Sequence, residues 1–227
     1  MKTWAFGQGL VLLIIVLCAA GQVSAQLASE CGKIPGLQPV DVRMKLSPPQ
    51  IEHHHEVDLL GLPRIDHSVE SNPPGGKILG LTLHGEGFKY SFEEKWTRQG
   101  DGPYCHYLTK VEGQLTLTQM MVYVASNYPV GSCEYKVVLE HENTHVRITR
   151  DMIDRYSLRL ENALRSAARR ISPLVTVERS GVEQISQRLN AELEPLMKQF
   201  REDTARANAV IDTPENYRKT TARCSNW

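Results

Sequence analysis

Five consecutive residues, His141-Glu142-Asn143-Thr144-His145, combine two histidines and a glutamate in the spacing H-E-x-x-H. On a helix, residues four positions apart lie on one face, so both imidazoles can bind a single Zn²⁺ ion. The glutamate then lies within reach of a water molecule on that ion and can accept its proton. The pattern predicts Zn²⁺ as cofactor, His141 and His145 as its ligands, and Glu142 as the general base of a hydrolytic site.

The motif lies in a segment with an unbroken helical period. Residues 133–170 contain neither Gly nor Pro, and apolar side chains recur every three or four residues on both sides of the histidines. We predict one long helix there. A turn over 171–179 contains Pro173, and Ser180 and Glu183 then have the S-x-x-E spacing of a capping box before a second helix. Because the connection is short, the two helices are expected to form an antiparallel hairpin.

A hydrolytic zinc site needs a third protein ligand, and the predicted hairpin selects a candidate for it. His145 should be level with the region around Asp203, which continues the apolar stripe of the second helix. A lone carboxylate that faces inward is costly to bury, and a metal would offset that cost. We predict Asp203 as the third ligand. The alternatives are a salt bridge from Asp203 to Arg147 or Arg150 and, as ligands, three other acids: Glu202, Asp212 and Glu215.

Upstream of the helices, short β-rich runs predict a small sheet. The runs lie at 77–84, 88–96, 107–111 and 115–125, with glycine-containing breaks among them. Residues 26–76 are rich in Pro and Gly and predict an irregular N-terminal arm. The fold class predicted is α+β, with a small, mostly antiparallel sheet followed by a long antiparallel helix hairpin that carries H-E-x-x-H.

His53-His54-His55 in the arm is a weaker metal candidate. Successive side chains of a strand point to opposite faces, so all three imidazoles cannot easily meet one ion.

Residues 1–25 have the pattern of a secretory signal peptide. Lys2 precedes an apolar run that is short for a membrane span, and Val23-Ser24-Ala25 resembles a cleavage site. We expect a periplasmic or secreted protein that is cut after Ala25 and has no stable membrane anchor afterwards; an uncleaved anchor is the alternative. The chain has 26 basic and 26 acidic residues, so its charge gives no reason to expect nucleic acid as a partner.

Four cysteines follow the signal segment, and in an exported chain they predict two disulfides. Three pairings are possible. We favour Cys105–Cys133, which brackets a strand and the start of the motif helix, and Cys31–Cys224, which ties the two ends together.

The order of these features resembles a known family. In chain order they are a strand region with a cysteine, Gly-Ser-Cys, Val-Leu-Glu-His-Glu-Asn-Thr-His opening a long helix, and a second helix with an acidic-Thr stretch. This arrangement is similar to that of the bacterial secreted, predicted zinc-dependent proteases of otherwise unknown function. These proteases resemble minimal gluzincin metallopeptidases. The resemblance covers residues 104–217 and is strongest over 133–148. It implies a zincin-like α+β catalytic domain over 77–227, with an edge strand lining the cleft above the motif helix.

The resemblance also implies roles for individual residues. It makes His141 and His145 metal ligands and Glu142 the general base, and the stretch that ends in Asp203-Thr204 matches the acidic-Thr element loosely. Where such families continue with His-Gly, this chain has Arg206-Ala207. A donor that stabilises the oxyanion is expected nearby, and the candidates are His106, Tyr217 and Arg206.

Three functions are compatible with this sequence. The first is an exported zinc-dependent metallopeptidase that hydrolyses a peptide or protein substrate. The second is a non-catalytic binding protein on a protease-like fold, with its zinc structural or absent, and the third is a disulfide-linked helical scaffold without metal. Glu142 favours the first, because a structural zinc site has no use for a base, whereas the missing His-Gly favours the second.

Overall fold

The computed structural model describes residue 31 and residues 36–65, 77–98 and 100–227. These residues form an α+β fold with small mixed sheets and helices. The strands are β1 (Asp41–Ser47), β2 (Ile51–His54), β3 (Gly80–Leu83), β4 (Glu86–Arg98), β5 (Tyr104–Leu117), β6 (Met120–Val124) and β7 (Leu174–Thr176). The helices are α1 (Leu62–Ile65), α2 (Cys133–Ile171), α3 (Val182–Ala209) and α4 (Pro214–Thr221). The predicted signal peptide, residues 1–25, lies outside the described residues.

Both sheets mix parallel and antiparallel pairing, so the expected mostly antiparallel character of the sheet is not confirmed. In the first sheet, β5 pairs parallel with β1 and antiparallel with β4 and β7. In the second, β6 lies between β2, which is parallel to it, and β3, which is antiparallel. The parallel partners β1 and β2 lie far upstream of β5 and β6 in the chain, so no β-hairpin sequence pattern predicts these pairings.

Part of the predicted irregular arm, residues 26–76, is regular in the structure. It supplies β1 and β2 as strands of the two sheets, and Val42 of β1 is buried in the core. Pro48-Pro49 separates the two strands, which is where proline is tolerated because it cannot donate to a ladder. The apolar alternation of Val42, Met44 and Leu46 is the local signal that the Pro and Gly content obscured.

Helix α2 runs through the motif without a break. The side-chain oxygen of Ser132 caps it by accepting a hydrogen bond from the backbone N–H of Tyr135, and Arg169 and Arg170 lie in its last turn, where cations are favourable. The helix packs against β1, β5 and β6, and its buried stripe includes Ile153, Tyr156, Leu160 and Leu164.

Helix α3 lies along α2, and their paired contacts run in opposite sequence directions. Arg170 forms an ion pair with Glu192 at 2.7 Å, Tyr156 packs on Phe200, and His145 contacts Asn208. The predicted capping box does not form, because Gly181 is the N-cap of α3 and no side chain caps it. A Cβ at Gly181 would lie 2.8 Å from the His106 ring, so close packing explains the glycine.

The four cysteines form two disulfides, but the favoured pairing was wrong. The bonds are Cys31–Cys105 and Cys133–Cys224, with Cα–Cα distances of 5.7 and 5.8 Å. The reason is that α4 returns to the start of α2, which places Cys224 beside Cys133. Two disulfides fit an extracellular or periplasmic location. Among the described residues, we find no helix with the length and apolar character that crossing a membrane requires.

Candidate metal centre

Three side chains converge at the motif: His141 and His145 on α2, and Asp212 in the turn between α3 and α4. Oδ1 of Asp212 lies 3.0 Å from Nε2 of His141 and 3.2 Å from Nε2 of His145. The two Nε2 atoms are 3.3 Å apart. The three potential ligand atoms thus form a nearly regular triangle, which is the metal-capable cluster found among the described residues.

The triangle fits a metal ion. Zinc–ligand bonds of about 2.0–2.1 Å at tetrahedral angles place neighbouring ligand atoms roughly 3.3 Å apart. The three observed separations, from 3.0 to 3.3 Å, lie close to that spacing. Two imidazoles and one carboxylate are also a donor set that occurs in hydrolytic zinc sites. The His-His-Asp cluster could therefore hold a metal ion.

A neighbouring amide orients one of the imidazoles. His145 donates from Nδ1 to Oδ1 of Asn208 at 2.9 Å, so its Nε2 is the nitrogen that faces Asp212. Metal-binding histidines are usually held by such a partner, which fixes the ring and its tautomer. The two motif rings meet edge to face at 4.9 Å, and both side chains are only 13% exposed.

Without a metal, this cluster binds protons instead. Burial of the ring lowers the pKa of His145, but the hydrogen bond to Asp212 and the negative charges of Glu142 and Asp212 outweigh burial and raise it to about 8. For Asp212, burial acts to raise the pKa, and the hydrogen bonds from both histidines hold it well below its ordinary value. At neutral pH the metal-free site therefore contains an ion pair between protonated His145 and Asp212, and a metal that binds there must displace the His145 proton.

Metal affinity should depend on pH for this reason. Below pH 8, His145 in the metal-free protein carries a proton that zinc has to displace. We expect zinc affinity to rise by at least about fivefold from pH 7 to pH 8 and to change less from pH 8 to pH 9. Chelator-competition titrations at the three pH values measure this, and an affinity that is flat from pH 7 to pH 8 would contradict the proton competition.

Glu142 is held beside the cluster in a buried position. Its side chain is 3% exposed, and one carboxylate oxygen accepts a hydrogen bond of 2.7 Å from the hydroxyl of Thr82 on β3. Burial is the largest influence on this carboxyl and raises its pKa, against the opposing effects of His145 and His141. A buried carboxylate with one anchored oxygen has the properties of a general base.

The position of Glu142 depends on a glycine. A Cβ on Gly80 would lie 2.7 Å from Oε1 of Glu142 and 2.7 Å from the Val138 side chain. Gly80→Ala should therefore displace the carboxylate and lower kcat/KM for the peptide cleavage proposed below at least about tenfold, with the metal content unchanged. Gly87→Ala is the matched control, because a Cβ there meets nothing within 4 Å. Equal activities of the two variants would contradict the placement.

A cavity of about 250 Å³ opens beside the cluster, between β3, α2 and the turn that holds Asp212. Tyr217 of α4 lines it, and its ring centroid lies 5.6 Å from that of His141. Burial, followed by the charges of Asp212 and Glu142, raises the pKa of the Tyr217 phenol, which stays protonated and able to donate. The cavity is lined by Ile78, Gly80, Leu81, Thr82, His84, Glu142, His145, Thr149, Asn208, Asp212 and Tyr217.

The other two oxyanion candidates lie elsewhere. His106 is buried on β5, where it contacts the carboxylate of Glu94 at 3.0 Å and the hydroxyl of Thr176 at 2.9 Å. Arg206 forms an ion pair with Asp203. Of the three candidates, only Tyr217 lines the cavity.

Asp203 is not the acid at the cluster, which corrects the predicted third ligand. It accepts a hydrogen bond from the Tyr156 hydroxyl and pairs with Arg206. Tyr156 follows His145 by three helical turns, roughly 16 Å along α2. The apolar stripe of α3 thus leads to the contact between Asp203 and Tyr156, about three helical turns along α2 from His145. The arginine that pairs with Asp203 is Arg206 and not Arg147 or Arg150.

The remaining sequence candidates have other partners. Glu202 pairs with Lys198 at 3.8 Å and Glu215 with Lys219 at 2.8 Å. In the histidine run, His54 stacks on Tyr123 and His55 bonds to a backbone carbonyl.

The sequence predicts Asp212 only as an alternative third ligand, because Asp212 lies beyond the periodic part of α3. A local signal was present next to it. Thr213 caps α4 by accepting a hydrogen bond from the N–H of Asn216, and Pro214 occupies the first turn, as expected for a helix start. Recognising that start would have placed Asp212 at a tight turn.

Comparison with known proteins gives no match. No protein-family model matches the chain, and no curated protein or solved structure does either.

Proposed function

We propose that the chain is an exported zinc-dependent metallopeptidase. The observation that carries the proposal is the combination of the His141–His145–Asp212 triangle with a buried carboxylate, Glu142, that lies beside the triangle but outside it. Ligands alone would suit any metal protein. A base held separately next to them, in a cavity open to a ligand, is what hydrolysis of a carbonyl compound requires.

The number of protein ligands also favours catalysis over a structural role. Structural zinc sites are closed by four protein ligands, whereas catalytic sites use three and leave a position for water or substrate. The cluster within the described ranges has three members. The non-catalytic alternative, in which zinc is structural, has less support for this reason.

Three residues around the cavity, Glu142, Thr82 and Tyr217, have roles in the proposed reaction. Bound Zn²⁺ would polarise the scissile carbonyl and make a water molecule more acidic. Glu142 accepts the proton of the attacking water and delivers it to the leaving amine, and Thr82 keeps the carboxylate in position. Tyr217 donates a hydrogen bond to the carbonyl oxygen as negative charge develops there.

The main chain of β3 can position the substrate. Among the described strands, β3 pairs only with β6, so its other edge has no strand partner there, and Gly80, Leu81 and Thr82 of β3 line the cavity. An extended peptide can add to such an edge through backbone hydrogen bonds, which are independent of its sequence. This arrangement favours a polypeptide as the substrate.

Metal removal tests this function. The purified protein, incubated with a mixture of unstructured peptides, should cleave some of them, and products are read by mass spectrometry. A chelator should reduce the rate at least about a hundredfold, and one equivalent of zinc should restore it. Cleavage that persists in chelator, or its absence in the zinc-loaded protein, would contradict the proposal.

A further inference from the structure

A groove outside the metal-site cavity lies between β4 and α3. It has a volume of about 780 Å³, and its walls are formed by Phe88 and Tyr90 of β4 and by Leu193 and Met197 of α3. We call it the β4–α3 groove. Its floor and walls are largely apolar, which is typical of a site that receives apolar side chains.

The groove adjoins the metal-site cavity. Glu86 lines the groove and His84 lines the cavity; Oε2 of Glu86 lies 3.7 Å from Nδ1 of His84, and only Gly85 separates the two residues in the chain. Helix α3 also contributes residues to both the groove and the cavity. Arg201 of α3 lines the groove and Asn208 lines the cavity, about two helical turns further along the same helix.

The length of the groove suits an extended chain. Glu86 and Tyr90, which line the groove on β4, are four residues apart, which corresponds to roughly 13 Å of β-structure and therefore to about four residues of a bound extended peptide. Such a peptide would enter the metal-site cavity at one end and leave its other residues along the apolar walls.

The rim of the groove argues against a polyanion as the occupant. Glu86, Glu194, Lys198 and Arg201 all line the groove, so two acidic side chains are balanced by two basic ones. Nucleic acid requires a predominance of positive charge. A polypeptide with apolar side chains matches both the walls and the neutral rim.

We infer that the β4–α3 groove binds the part of an extended polypeptide substrate that lies outside the catalytic cavity, through apolar side chains a few residues from the scissile bond. This inference rests on the proposed peptidase function. It assigns the substrate class as unfolded or flexible polypeptide segments rather than dipeptides, because a dipeptide cannot reach from the cluster into the groove.

A groove-filling variant tests the inference. Ala191 lines the groove and is exposed, so Ala191→Trp blocks the groove without removing a core side chain. The binding partner is a labelled, unstructured peptide of about 14 residues with two leucines, measured by fluorescence anisotropy on zinc-loaded Glu142→Gln protein, which should not cleave it. Ala191→Trp in that background should weaken binding at least tenfold.

Three controls show whether a loss of peptide binding comes from blocking the groove or from a general effect of the substitution. Asn162→Trp adds the same side chain to an exposed position of α2 that lines none of the described cavities, and it should change the affinity less than twofold. A peptide with Gly and Ser in place of the leucines should bind at least tenfold more weakly. Ala191→Arg provides a second blocking variant if the tryptophan perturbs folding, which circular dichroism reports.

The outcomes for the groove and for the peptidase are distinguishable. If Ala191→Trp and Ala191→Arg bind the leucine peptide as tightly as the parent, or if the Gly-Ser peptide binds equally well, the groove inference is overturned, whether or not wild type cleaves peptides. If the blocking variants lose binding while zinc-loaded wild type cleaves no peptide, the groove is supported and the proposed peptidase function fails.

Discussion

Replacing Glu142 by glutamine should abolish peptide hydrolysis while the protein keeps its metal. The side chain is buried beside the cluster and anchored by Thr82, but it is not a member of the ligand triangle. Glutamine has nearly the same shape and cannot accept a proton, so only the base is removed. We expect kcat/KM to fall at least about a thousandfold and zinc stoichiometry to stay at one per chain.

Glu140→Gln is the matched control for this change. Glu140 lies two positions earlier on the same helix, is exposed, and pairs with Arg223. Because it contacts neither the cluster nor Glu142, its replacement should leave kcat/KM within about threefold of wild type. Loss of zinc from Glu142→Gln would make Glu142 a ligand, and unchanged cleavage by this variant would remove it as the base.

The second large effect is expected for Asp212. Asp212→Ala removes the carboxylate that contacts both imidazoles, so zinc affinity measured by chelator competition should fall at least about a hundredfold. Asp203→Ala is the comparison variant, because Asp203 is a partner of Tyr156 and Arg206 instead. It should keep wild-type zinc affinity and lower the thermal unfolding temperature.

The reverse result would restore the original sequence prediction. If Asp203→Ala lost zinc and Asp212→Ala kept it, the third ligand would be Asp203 and the arrangement of the turn before α4 would be wrong. Similar losses in both variants would indicate that the two changes act through the fold, which the unfolding temperatures would show.

Local sequence patterns predicted the elements that carry the motif. An unbroken helical period predicted residues 133–170, and α2 is Cys133–Ile171. The i, i+4 spacing placed both imidazoles on one face, where they meet at 3.3 Å. These features depend on neighbours within one helix, and such short-range rules do not require knowledge of the rest of the fold.

Features that depend on distant parts of the chain could not be predicted in the same way. The third acid was sought on the periodic face of α3, which led to Asp203, whereas Asp212 reaches the cluster only because the chain turns at Thr213. The disulfides followed from the return of α4 to Cys133, which sequence cannot specify among three pairings. Parallel strand partners are equally non-local, which is why local patterns did not predict β1 and β2 within residues 26–76.

The central claim is that His141, His145 and Asp212 hold one metal ion, and anomalous X-ray diffraction at the zinc edge tests it most directly. Crystals of the zinc-loaded protein should show one strong anomalous peak within about 2.0–2.2 Å of Nε2 of both histidines and of a carboxylate oxygen of Asp212. The absence of a peak there, or a peak elsewhere such as at His53–His55 or beside Asp203, would contradict the account.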